Sequence, residues 1–92
     1  MSEITVECAP APDGWLATVT VTDRKTSIEY KVSVSAPELV RFDPGAADPG
    51  QLVRRSFEFL LAREPKESIL RSFNLSVIGR YFPEYEREIG QR

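Results

Sequence analysis

The sequence predicts an α+β fold: a three-stranded antiparallel meander, one long helix across its apolar face, and short C-terminal helices. Two observations predict it. Apolar and polar side chains alternate with period two up to Val34, whereas beyond residue 35 the apolar residues recur at helical spacing. Asp-Pro-Gly also occurs twice between Asp43 and Gly50, and such turn formers separate the two patterns. The 92 residues make one domain, with the meander over 1–35, a short turn and loop over 36–50 and a helical half over 51–92.

Each strand has an apolar and a polar side. Ile4, Val6 and Cys8 oppose Thr5 and Glu7. Trp15, Ala17, Val19 and Val21 oppose Leu16, Thr18, Thr20 and Thr22. Ile28, Tyr30, Val32 and Val34 oppose Glu29, Lys31, Ser33 and Ser35. A sheet with one face on a core and the other in water has this pattern. Pro10 to Gly14 and the short Asp23-Arg24-Lys25-Thr26 segment supply the two turns. Ser35 and Glu38 form a capping box for a short turn through Leu39, Val40 and Phe42.

Asp48 is the expected cap of the main helix, with Pro49 at its first position. Its apolar residues Leu52, Val53, Phe57, Phe59, Leu60 and Leu61 cover well over half of the circumference. An arc that wide predicts burial against the sheet and against either the C-terminal segment or a second subunit. Pro65 ends this helix and starts the next, Lys66 to Phe73, on which Ile69, Leu70 and Phe73 are helically spaced. Ser76 caps a further short helix through Val77, Ile78, Tyr81 and Phe82, and Pro83 interrupts it. The predicted core contains Trp15, Val19, Tyr30, Val32, Phe57, Leu60 and Leu61.

Composition narrows the chemistry. The chain has no histidine and one cysteine, Cys8, so no Ser-His or Cys-His nucleophile pair and no His-based zinc site can be assembled. No glycine-rich phosphate loop or acidic calcium loop is present either. The expectation is therefore no catalytic residues, no metal and no cofactor. Glu84, Glu86 and Glu88 are the nearest thing to an acid–base group, and an enzyme working through carboxylates alone is the catalytic alternative. Cys8 shares the apolar side of its strand, where a thiol packs as a small hydrophobe. No membrane span is expected, and the N-terminus lacks the basic and apolar regions of a signal peptide. With one cysteine, a cytoplasmic location follows as the expectation.

Charge divides unevenly. Residues 1–50 carry four basic and eight acidic side chains, and residues 51–92 carry eight basic and six acidic. Arg54, Arg55, Arg71 and Arg80 are the candidate nucleic-acid contacts on the basic half. Segment 66–82 is similar to a helix-turn-helix unit, with a turn at Phe73-Asn74-Leu75-Ser76 between two helical stretches. Glu58, Glu64 and Glu67 are interspersed with those cations, which argues against a strong nucleic-acid surface. Tyr81, Phe82 and Tyr85 form the densest aromatic cluster. They either latch the C-terminus onto the main helix as part of the core or form a partner-binding patch, since aromatic residues are enriched at interfaces.

The run from Phe57 through Phe59-Leu60-Leu61 and Arg63-Glu64-Pro65-Lys66-Glu67-Ser68-Ile69-Leu70 to Tyr81-Phe82-Pro83-Glu84-Tyr85 looks like a family of short bacterial proteins with no assigned role. That resemblance implies a cytoplasmic bacterial protein and no particular activity. Asp13-Gly14-Trp15-Leu16-Ala17, within a meander followed by a helix, resembles the N-terminal domain of HicB-type antitoxins. Those bind a small toxin and often carry a DNA-binding element. The expected function is a small non-catalytic interaction or regulatory module, whose partner is a protein or a second copy in weak self-association. A nucleic-acid-binding regulator is the alternative.

Overall fold

A computed structural model describes residues 2–24 and 26–89. Strands β1 (Ser2–Ala11), β2 (Gly14–Asp23) and β3 (Thr26–Ser35) form the expected antiparallel meander. Its registry aligns the apolar positions in rows, Ile4 with Val21 and Ile28, Val6 with Val19 and Tyr30, and Cys8 with Ala17 and Val32. Period two then places every one of these side chains on the covered face, and Ala17, Val19, Val21, Tyr30 and Val32 are fully buried. The opposite face carries Thr5, Thr20 and Glu29 in one row and Glu7, Thr18 and Lys31 in the next.

Gly14 opens β2 where the chain passes under the start of the first helix. A Cβ there would lie 2.2 Å from the carbonyl oxygen of Val34, backbone against backbone, so only glycine fits. Arg24 turns the second hairpin with a left-handed backbone (φ 55°). Lys25, its expected neighbour in that turn, lies outside the described residues.

The sheet has a fourth strand where the spacing predicts the end of a helix and a turn. Strand β4 (Ser72–Asn74) runs parallel to β3, giving a mixed sheet of order β1-β2-β3-β4. Lys31 N–H donates to the Arg71 carbonyl at 2.8 Å, and Leu75 N–H donates to the Ser33 carbonyl at 2.9 Å. A short apolar stretch such as Ile69 to Leu75 fits a helix or a strand equally by spacing, and the unpaired edge of β3 decides in favour of a strand. Of the predicted helix from Lys66 to Phe73 only a single 3-10 turn, Lys66–Ser68, forms. Pro65 and Ile69 are both extended and close it at either end. Tyr30 pins this turn to the sheet by donating its hydroxyl proton to the Lys66 carbonyl at 2.6 Å.

Helix α1 (Ala36–Phe42) is longer than the single turn expected, and the Ser35–Glu38 capping box that starts it is present in both directions. Helix α2 (Gly50–Leu61) is the longest, yet its twelve residues are an average span rather than a long helix. It begins one residue later than the sequence suggests. Pro49 is the cap, and the Asp48 carboxylate accepts the Gly50 N–H at 2.9 Å. Helices α3 (Val77–Tyr81) and α4 (Tyr85–Ile89) follow. Ser76 occupies the N-cap position of α3 but makes no side-chain capping bond, because its hydroxyl donates to the Asn74 side chain.

The wide apolar arc of α2 is covered on two sides. Phe57 meets Tyr30 of the sheet with ring centroids 5.0 Å apart, while Phe59 meets Phe82 and Tyr85 edge-on at 5.8 and 5.3 Å. The C-terminal segment therefore supplies the second cover. Arg63 lies over the Phe59 ring at 3.6 Å and reaches Glu84 and Glu88, which fastens the last helix to the end of α2. Trp15 and Leu61, both expected in the core, are half-buried against it. No helix among the described residues is long and apolar enough to cross a membrane.

Candidate functional site

The C-terminal end of α2, the 66–70 turn, β4 and α3 enclose a groove of about 210 Å³. Its floor is apolar core, chiefly Leu60, Ile69, Phe73 and Ile78. Two large apolar side chains stand out of its walls, Leu70 at 49% exposure and Tyr81 at 67%. Their placement follows from the local sequence. In the extended stretch 69–75, Ile69 and Leu75 are buried and Phe73 half-buried, while Leu70 and Ser72 alternate outward. On the five-residue α3, Ile78 turns inward and Tyr81 does not.

Beside Tyr81, the polar residues lining this groove are Ser68 and Glu64. Glu64 is half-buried and, among the described residues, its carboxylate has no hydrogen-bond or ion-pair partner. Its backbone N–H donates to the Leu60 carbonyl at 2.8 Å, so the side chain stands at the negative end of the α2 dipole. A carboxylate is unfavourable at that end, and the nearest basic residue in sequence is occupied elsewhere. Arg63 donates to the Phe59 carbonyl at 3.1 Å and to the carboxylates of Glu84 and Glu88.

The aromatic candidates separate. Tyr81 is exposed on the groove wall and half-buried Phe82 lines it. Tyr85 is fully buried and presents no surface to a partner. Its hydroxyl lies 2.6 Å from Ser56 Oγ, and since that serine gives its proton to the Leu52 carbonyl, Tyr85 is the donor. Burial pushes its phenol up to about 12, against the opposing pull of the Arg55 charge.

The basic candidates do not assemble into one unit. Arg55 ion-pairs with buried Asp43 at 3.4 Å, and Arg71 sits 5.9 Å from the Tyr30 ring. Arg54 is half-buried on α2 and Arg80 is exposed on α3. The helix-turn-helix alternative over 66–82 is not formed, because β4 occupies the place of its first helix and α3 has five residues.

Of the C-terminal carboxylates, Glu84 and Glu88 serve Arg63, and Glu86 pairs with Arg41. Glu84 titrates below its ordinary value, first through a hydrogen bond from its own backbone amide and then through Arg63, the opposite of the upward shift a general acid needs. Burial, and next the charge of Asp48, push the Cys8 thiol up, which disfavours the thiolate. Among the described residues no three His, Cys, Asp or Glu side chains converge as metal ligands.

Sequence reasoning missed Glu64, Ser68, Leu70 and Phe73 as one site, because it placed 66–73 on a core helix. The available signal was Ile69, Phe73 and Leu75 at odd positions, a strand period hidden by Arg71. Comparison with protein-family models, with curated proteins and with solved structures returns no match.

Proposed function

We propose that this chain is a non-catalytic protein-interaction module that receives its partner in the groove between α2, β4 and α3. The observation that carries this reading is the exposure of Leu70 and Tyr81 beside a cavity floored by core residues. Exposed apolar surface rimmed by polar groups is costly in water and marks a surface that is covered in use. Taking a fully exposed side chain of this size out of water is worth roughly 1.5–3 kcal/mol, so covering the part of Leu70 and Tyr81 that remains exposed contributes about 1–2 kcal/mol each to a complex. The proposed setting is the bacterial cytoplasm, in keeping with the resemblance of the Phe57–Tyr85 run to short bacterial proteins.

The test compares capture from the host by the parent chain and by the Leu70→Ser/Tyr81→Ser double variant. Both substitutions alter exposed side chains, so the variant is expected to keep its circular dichroism and its unfolding midpoint. A specific partner is expected on the parent and depleted at least about tenfold on the variant. Identical partner sets on the two proteins, or a nucleic acid as the main captured species, would refute the reading.

A further inference from the structure

We infer that the groove takes an extended apolar segment of a partner protein, carrying one lysine or arginine that pairs with Glu64. The inference rests on the reading of the groove as the working surface and adds the chemistry of its occupant. Three features select that occupant. The groove interior is apolar, so the segment must bring aliphatic or aromatic side chains to Leu60, Phe73 and Ile78.

The charge of the wall selects the second element. Glu64 is half-buried in an apolar lining, has no partner among the described residues and stands at the negative end of α2. Both its own charge and the helix dipole favour an incoming cation and disfavour an acidic one.

The backbone selects the third. In the parallel ladder, Arg71 and Leu75 direct their backbone groups to β3, so Ser72 between them directs its own N–H and C=O outward. β4 is the last strand of the sheet, and Ser72 is exposed. A segment in extended conformation satisfies these groups by adding a fifth strand, and its alternate side chains then turn toward the groove. A helical segment satisfies none of them.

A displayed library of random peptides, selected on the full chain, tests the proposal. Selected peptides are expected to alternate apolar residues and to contain one lysine or arginine. Glu64→Gln is expected to weaken the best of them about tenfold, as for loss of a charge-assisted hydrogen bond, without lowering the unfolding midpoint. N-methylation of single backbone amides in the peptide is expected to abolish binding at one or two alternate positions. Peptides that are acidic, that bind as helices, or that ignore Glu64→Gln would overturn the inference, and so would a second copy of the chain seated in the groove. In those cases loss of binding in Leu70→Ser would leave the groove itself standing as the working surface. A library that yields no binder, or binders unaffected by Leu70→Ser, would overturn both.

Discussion

Replacing Phe57 by alanine is expected to destabilise the domain by about 3–5 kcal/mol, the usual cost of emptying a buried aromatic site. That is a large part of the roughly 5–15 kcal/mol available to a small domain. The size of the effect follows from position. Phe57 is fully buried on the sheet side of α2, and its ring touches Tyr30 on β3 at 5.0 Å and Phe73 on β4 at 6.2 Å. One side chain thus joins the helix to the antiparallel strands and to the parallel strand added beside them. The flanking rings belong to separate elements and cannot close the space without moving the sheet against the helix. Urea unfolding of parent and variant measures the loss directly, and a difference below about 1 kcal/mol would place Phe57 outside the core.

Stability is also expected to fall at high pH, between about pH 10 and 12, through Tyr85. Its folded-state phenol is pushed up to about 12, whereas an unfolded tyrosine titrates near its ordinary value of about 10. Below pH 10 both states hold the proton and the contribution is fully present. As pH rises further the unfolded state ionises first, and up to about 3 kcal/mol is lost by the time the folded group titrates. The physical cause is burial. Tyrosinate would sit among Phe42, Phe59 and Ser56, where its charge is desolvated. Tyr30 is shifted in the same direction, also chiefly by burial, so the wild-type decline contains both residues. Chemical unfolding at stepped pH separates them. Tyr85→Phe should remove the larger part of the decline while Tyr30→Phe should not, and an unchanged decline in Tyr85→Phe would contradict the assignment.

How much of this was legible beforehand depends on the length of each pattern. The three long strands alternate over enough residues that period two has no rival, and their buried faces match the sequence pattern residue by residue. The capping box at Ser35 and Glu38 was legible because both members are local and reciprocal. β4 was not, because three residues carry too little periodicity, and the force that recruits them is the unpaired edge of β3 forty residues away in sequence. Tyr85 was left open between core and interface for a related reason. Its neighbours Tyr81 and Phe82 lie near the surface, and only the position of Ser56 on α2 reveals that its hydroxyl has a buried partner. The groove was hidden with them, since its walls are β4 and the aromatic α3 segment. Nothing local in the sequence distinguishes Glu64, whose isolation arises because Arg63 is drawn to Glu84 and Glu88.

That the groove is the surface where this chain meets its partner is tested most directly by backbone amide chemical shifts. They are recorded on the isotopically labelled full chain as the partner protein, or a peptide selected for binding, is added. Shifts are expected to concentrate between Glu64 and Phe82, with Leu70, Ser72 and Tyr81 among the most affected, while Thr5, Thr18 and Thr20 on the open face of the sheet stay in place. Perturbations centred on that open face or along β1, with Leu70 and Tyr81 unmoved, would show that binding takes place elsewhere.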